Sequence, residues 1–554
     1  MKRVGIFGWG VVAPRSPNID AFGRHLAAGT SWLEPFNGFG PDNFLVGVPE
    51  FSFDDYQGWV EERFKPNRFS QLESKMGLPV KYAVGAFIQA LGQNPGLEQE
   101  LQELGTEAHV YVGTGLGDIV TQYEQSLAFH RAQRRWQRFW AAPQRNSERR
   151  IYEERCAARD GAHPTHTDSG APIPPRPDSV PEEDRDLAEE AWWNFWMVRS
   201  PQLKAYLEEM RAIESVAVEG DVESGKIRAM KDKRRSLRRL QEKWGTPPPP
   251  WQAVSSNFIW NIDNIAAAQI SMLGHITGMS MAVGGACSTF GLTLKLALDA
   301  IRSGEAKAVV IGATDPPPSP LLVGAFYNAR VISADATVSK PLTELRGTHI
   351  AGGSVVWIVG DWDHMRAKGF APLGMEPLAV GVTSDADHII TPSKEGPTES
   401  MRIALARAGV EGSDIVSWDL HATATPGDFN EVEMVRELMP EDLLVTARKG
   451  TFGHGMSAGG GWELTAQYLG YQRGEIYPTP LVREEVNQQI LAVHDNFVYD
   501  CGCAAPQGVV GKLSMGVGGI NACVVSRPLA TPGERKPPGR AAKRSSKPPK
   551  GGSS

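Results

Sequence analysis

Residues 279–314 read MSMAVGGACSTFGLTLKLALDAIRSGEAKAVVIGAT, and the reading of the fold turns on them. The run 279–286 predicts a short apolar strand. STFGLTLKLALDAIRSG (288–304) predicts a helix, with Leu292, Leu296 and Ala300 recurring on one side and Gly304 as the stop. AKAVVIGAT (306–314) is continuously apolar, as a strand of a doubly covered parallel sheet must be. Strand, helix and strand in this order make one parallel α/β unit. A single thiol, Cys287, sits where the first strand hands over to the helix. On this stretch alone it reads equally well as a small buried filler or as a nucleophile, since the free N–H groups of a helix N-terminus lower a thiol's pKa.

The same alternation extends on both sides. Val4 to Phe7 reads as a first strand entering a glycine turn, KYAVGAFIQAL (81–91) has helical spacing, and HVYVGTGLGD (109–118) is a β run that breaks into a Gly-rich turn. SSNFIWNIDNIAAAQISMLG (255–274) reads as a helix, and a second series of strands and helices covers 353–528. A chain of 554 residues exceeds one ordinary core. Two similar α/β halves, 1–123 with 253–350 and then 351–528, fit that length, although no internal sequence repeat is visible.

Residues 124–252 differ in character. RAQRRWQRFWAAPQRNSERRIYEER (131–155) is crowded with Arg and Trp, PTHTDSGAPIPPRPDSVPEED (164–184) reads as a loop, and helices are predicted at about 185–216, with a break at Pro201, and at 224–243. This segment reads as a helical insertion. Its bland reading is a solvated cap. Its sharper one is a partner face, in which Arg131, Arg134, Arg135, Arg138 and the Lys-rich stretch 231–243 meet an acidic carrier protein; the interleaved Trp136 and Trp140 fit packing on the body equally well. Residues 529–554 are basic and rich in Pro, Gly and Ser, and are expected to be disordered.

Composition narrows the function. The total charge of −7 leaves about −13 for the body once the tail's +6 is set apart, which gives no reason to expect nucleic acid there. Five irregularly spaced cysteines argue against a disulfide framework and for a reduced, cytoplasmic setting. Cys501 and Cys503 form C-x-C rather than a zinc or thioredoxin motif. No apolar run approaches the roughly 18 residues that span a bilayer, and no clean basic-bordered apolar face marks a membrane-surface helix, which leaves membrane contact an open question.

Two histidines lie where strands or loops feed new elements: His421 in DLHATATPGDFNE (419–431) and His454 in KGTFGHGMSAGGGWE (449–463). In open α/β sheets ligands bind beyond the carboxyl ends of strands. A thiolate there can accept an acyl group, and two neutral imidazoles can donate from Nε2 to a thioester carbonyl while its carboxylate departs.

Cys287 in GGACST, His421 in HATAT-P-GD-x-x-E, Lys449 and His454 in K-x-x-x-GH, and the late loop GVGGINA (516–522) together resemble the β-ketoacyl-acyl carrier protein synthases, decarboxylating condensing enzymes of the thiolase fold. The resemblance implies Cys287 as nucleophile and His421 and His454 as the pair that polarises a malonyl thioester. It pairs Lys449 with Glu463, sets Thr423 and Thr425 against the carrier's pantetheine arm, and makes the oxyanion hole from the N–H groups of Cys287 and Val517. It further implies an acyl carrier protein as partner, a homodimer (or a heterodimer), and neither metal nor cofactor. The sequence departs from the family at Ala422, where Gly is usual; in a loop one residue shorter; at Val517 and Met515, where phenylalanines are usual and the smaller side chains imply a roomier acyl pocket; and at Gly353, where an acid is usual. Acyl transfer or decarboxylation without condensation, and a non-elongating partner subunit, are the rival readings.

Overall fold

The computed structural model describes residues 2–158, 163–217 and 222–529. The basic tail therefore lies, but for Leu529, outside the described residues. The chain divides into two compact units, one built from residues up to 74, 78–117 and 263 onwards, the other from 75–77 and 118–262.

The first unit holds two five-stranded sheets. The strands of the first are β1 (Val4–Val12), β2 (Ala108–Gly113), β3 (Ser280–Met281), β4 (Ala308–Asp315) and β5 (Gly353–Asp361), in the spatial order β3-β2-β4-β5-β1. Those of the second are β6 (Met375–Ser384), β7 (Ile415–Asp419), β8 (Leu444–Thr446), β9 (Val509–Gly516) and β10 (Ile520–Pro528), in the order β8-β7-β9-β10-β6. Numbered within its own half, each sheet runs 3-2-4-5-1. Each has two parallel pairings followed by two antiparallel ones. The duplication missing from the sequence is plain in the topology.

Among the helices of this unit, those that position the site are α1 (Leu78–Leu91), α2 (Ile265–Gly274), α3 (Thr289–Ser303), α4 (Glu395–Ala408), α5 (Gly427–Leu438) and α6 (Met456–Arg473). Helices α3 and α6 pack on each other, and α3 touches both sheets. Alternation along the strands sets the layers, because successive side chains face opposite sides. Val309 and Ile311 of β4 face the middle layer with Phe290, Leu294 and Trp357, while Ala308 and Val310 face outward to Ala83, Phe87 and Ile270 of α1 and α2. On the far side of the second sheet, Met401 of α4 and Val432 and Val435 of α5 pack on Trp418. Trp357 anchors the middle, edge-on to Phe290 at 4.9 Å and beside Tyr468 at 5.1 Å. Helix α6 is buried from Met456 to Tyr471, as one enclosed on every side must be. At Gly461 a Cβ would come within 2.4 Å of Val355, so only glycine allows this approach.

Several expectations need correction. The run 279–286 is strand only at Ser280–Met281, since Gly284 and Gly285 break it. Residues 256–261 form a 3₁₀ turn, and the helix starts only at Ile265. The first strand continues to Val12. Because β5 pairs with β1 and β4, the break between halves falls after Asp361 and before Met375, not at 350. Gly353 opens β5 at φ +143, and a Cβ there would lie 2.2 Å from the Val12 carbonyl, so no acid can occupy it.

The second unit is helical: Ile119–Ala141, Ser147–Ala158, Arg185–Met197, Pro201–Glu214 and Val222–Trp244. Its tryptophans form its own core rather than a seam with the body. Trp136, Trp140, Leu203, Tyr206 and Leu240 make one cluster, Tyr152, Trp192 and Trp196 another. Arg134 and Arg138 are both paired with Glu189, which leaves Arg131 and Arg135 exposed. Among the described residues no helix is long and apolar enough to cross a membrane.

Candidate active site

Cys287, His421 and His454 line one cavity of about 550 Å³, together with Thr423, Thr425, Met515 and Val517. The duplicated topology explains how they meet. Cys287 stands in the turn between β3 and α3, and His454 in the equivalent turn between β8 and α6. His421 follows β7, the second strand of its half.

The thiol sits in a 3₁₀ turn, Ala286–Ser288, on the way into α3. Ala286 has φ +46, a conformation that costs a non-glycine residue energy and that sharpens the turn. Ser288 locks this turn to the second half by donating to the carbonyls of Ser514 (3.0 Å) and Ile520 (2.8 Å). Burial pushes the thiol up to about 11, and only partial relief comes from Lys449 and from the N–H groups of Val517 and Cys287, which reach the sulfur. The helix N-terminus therefore does not make this a low-pKa thiol in the free protein. Desolvation outweighs it.

The two imidazole rings are 5.4 Å apart and nearly perpendicular. His454 Nδ1 accepts the Met456 N–H at 3.1 Å, and His421 Nδ1 accepts from Lys449 Nζ at 3.4 Å. With each Nδ1 an acceptor, the proton of each neutral ring belongs on Nε2. Burial, first, and the nearby lysines hold both rings well below the ordinary imidazole range, so both are neutral Nε2–H donors at pH 7.

Charged side chains fix the loop that carries His421. Glu431 accepts the N–H groups of His421 (2.6 Å) and Ala422 (2.8 Å), and Asp428 accepts those of Thr423 (2.8 Å) and Ala424 (3.1 Å). Burial raises Glu431 to about 7 and Asp428 to about 6. Thr423 and Thr425 share a hydrogen bond of 3.0 Å at the cavity wall. Lys449 donates to Glu463 at 2.7 Å and to the His421 carbonyl. Both side chains of this pair are buried, so it is no surface ion pair. Burial alone would raise Glu463, but Lys449 and Lys512 hold it below the usual carboxylate range. Met515 is buried at the cavity wall, whereas Val517 is 45% exposed.

Sequence reasoning passed over four of these groups. Glu431 and Asp428 stood inside the quoted HATAT motif without a role. Lys512 is a lone cation in a strand, VVGKLSMG, which was signal enough to single it out. Asp315 closes the apolar strand β4. It accepts Thr114 Oγ1, the Gly115 and Leu116 N–H groups and the Ser457 N–H, so it ties the first half to the start of α6.

Solved structures with this architecture include ketosynthases. A β-ketoacyl synthase from Burkholderia phymatum STM815 aligns over 96% of this chain and 100% of its own, with a TM-score of 0.64 at 17% identity. The ishigamide ketosynthase/chain length factor aligns over 96% and 100%, with a TM-score of 0.63 at 18% identity. The fold class is thus that of the thiolase-fold ketosynthases. Residues 231–359 match the β-ketoacyl synthase N-terminal domain and 376–482 the C-terminal domain. Among its relatives, Nodulation protein E of Rhizobium meliloti is 29% identical over 224 residues, 40% of this chain and 55% of that protein. The 3-oxoacyl-[acyl-carrier-protein] synthase 2 of Staphylococcus aureus is 29% identical over 228 residues, 39% of this chain and 56% of that protein. The matched region spans about half the length of these curated relatives.

Proposed function

We propose that this protein is a β-ketoacyl synthase, acting in fatty-acid or polyketide-like biosynthesis. The observation that carries the reading is the cavity in which one thiol faces two imidazoles, each with Nδ1 tied back and Nε2–H free to donate.

In the first step the Cys287 sulfur attacks an acyl thioester of a carrier protein. The acyl group moves to Cys287 and the carrier thiol leaves. In the second, a malonyl thioester enters and its carbonyl accepts from His421 and His454. Its carbon–carboxylate bond breaks, CO₂ departs, and the electron pair is held as an enolate by the two Nε2–H donors. The carbanion attacks the acyl carbonyl, whose oxygen is received by the N–H groups of Cys287 and Val517. The carbon–sulfur bond to Cys287 breaks, and the β-ketoacyl thioester leaves on the carrier. Lys449 and Glu463 orient His421, and Thr423 and Thr425 face the pantetheine arm. None of these steps calls for a metal or a cofactor.

Acyl carrier protein, a homodimeric state and a cytoplasmic setting belong to this same reading, as does the role of 124–252 as an insertion in the N-terminal half. The test is product analysis after mixing the protein with acyl- and malonyl-carrier thioesters. A β-ketoacyl product with CO₂ is expected. CO₂ without a new carbon–carbon bond replaces condensation by decarboxylation, and acyl transfer to another acceptor replaces it by an acyltransferase. Peptide mass spectrometry should find the acyl mass on Cys287.

A further inference from the structure

Lys512 is the only charged side chain of β9, and it is fully buried. Its ammonium donates to the Leu513 carbonyl at 2.6 Å and the Leu420 carbonyl at 3.2 Å, and it forms an ion pair with Glu463 Oε2 at 2.6 Å. Lys449 is satisfied in the same way by Glu463 Oε1, the His421 carbonyl and His421 Nδ1. One carboxylate is therefore shared by two ammonium groups, and the two lysines grip consecutive carbonyls, at 420 and 421. The opposite side of the same loop is held by Glu431 and Asp428 through its N–H groups.

Lysine is almost never fully buried unless paired. A single lysine would have neutralised Glu463, and an apolar residue would have filled β9. The second lysine leaves the Lys449–Glu463–Lys512 group with an excess cation, two ammonium groups against one carboxylate, directly behind the histidine loop. The other ionisable groups around the imidazoles are Glu431 and Asp428 on the loop's N–H side, the Asp419–Arg448 pair at 2.7 Å and Asp315 at the start of α6; the Cys287 thiol in the cavity is neutral.

We propose that Lys512 is a positioning residue of this site: by sharing Glu463 with Lys449 and holding the Leu420 carbonyl, it fixes the loop that carries His421 and keeps an excess positive charge behind the two imidazoles. This rests on the condensing reading above. A positive charge disfavours the imidazolium form, so Lys512 helps to keep both rings as neutral donors as the pH falls.

Two substitutions separate charge from hydrogen bonding. Lys512→Gln keeps N–H donors for the carbonyls and removes the charge. Lys512→Met removes both. Each leaves Glu463 paired with Lys449, so no buried charge is stranded. The measurements are histidine ¹H–¹³C NMR titration, with His421 and His454 assigned by single replacements, and the pH profile of malonyl-thioester decarboxylation. Both variants should titrate these rings at higher pH, by roughly half a unit or more, and the acid limb of decarboxylation should move up with them. Lys512→Met should in addition lose about tenfold in kcat through the loosened loop, with KM and the rate of Cys287 alkylation by iodoacetamide within about twofold of the parent. Superimposed titrations and pH profiles in a folded Lys512→Gln protein, with the parent active, overturn the proposal and leave the condensing reading intact. A parent that processes no malonyl thioester overturns both. If only Lys512→Met fails to fold, Lys512→Gln carries the test. Loss of fold in both makes the residue purely structural and overturns the proposed role.

Discussion

The two halves of the body share a 3-2-4-5-1 sheet and use it differently. After its second strand, the second half makes a short crossover, residues 420–443, that carries His421 and the helix α5. The first half leaves at the same point and returns only at β3, after residues 114–279, which hold the whole helical unit. After the fourth strand the relation is reversed. The second half turns within 517–519 and offers the Val517 N–H to the sulfur, whereas the first half runs through 316–352. One scaffold was specialised by altering the connections. The first half supplies the thiol, the second both imidazoles, both lysines and one of the two N–H groups that reach the sulfur. Asp315 and Ser288 cross between the halves to keep those parts in register.

Removing the first half's thiol should have the largest effect. Cys287→Ala is expected to abolish condensation, by about 10³-fold or more, while leaving malonyl decarboxylation measurable, because that step belongs to the second half. Product assays read both. Next come His421→Asn and His454→Asn. Each should cost roughly 10²- to 10³-fold in decarboxylation, yet acylation of Cys287, followed by mass spectrometry, should persist. Equal loss of acylation would mean that the chemistry is not divided between the halves as proposed.

Stability offers a finer test. Glu431→Gln replaces a carboxyl group, both of whose oxygens accept backbone N–H groups, by an amide that has to meet one of those N–H groups with its own NH₂. A loss of about 1–3 kcal/mol is expected in denaturant melts. pH probes the histidines. Their folded pKa values are depressed below the unfolded value of about 6.5. Their stabilising contribution is therefore complete above pH 6.5 and is lost as pH falls from there towards the folded values. Between pH 7 and pH 5 the parent's melting temperature should drop more than that of His454→Asn. Smallest of all is Arg134→Ala in the helical unit. Its pairing with Glu189 is partly exposed, and 1 kcal/mol or less, about the usual worth of such a pair, should be lost.

The fold was legible in sequence where burial is uniform. The all-apolar β4 and the strand–helix–strand unit around Cys287 could be read because a doubly covered parallel strand leaves its mark in composition. Cys287, His421, Lys449, His454 and Glu463 could be singled out because they stand in short, separately recognisable motifs; the structure puts Cys287, His421 and His454 on one cavity and Lys449 with Glu463 behind the His421 loop. The duplication could not be read, because it lies in strand order and pairing direction rather than in residues. Nor could the thiol's pKa: local sequence shows a helix start beside Cys287, but not that the surrounding body removes water from it. Lys512 and Glu463 lie on different elements and meet only after folding. Trp136 and Trp140 gave no hint of whether they faced the body or each other, since an aromatic stripe looks the same in both cases.

The long excursion after β2 also bears on the order of folding. β2 and β3 are neighbours in the first sheet, yet the chain between them runs from residue 114 to 279. Closing so wide a loop costs entropy before any ladder bond repays it, and such distant pairings are slow to form. The excursion shortens its own detour. Asn261, near its return, accepts the Gly77 N–H at 2.5 Å and donates to the Lys75 carbonyl at 3.0 Å, so it is stitched to the short stretch 75–77 that belongs to the same unit. Once the helical unit has collapsed on its tryptophans, the loop left to close is far shorter than the chain length suggests.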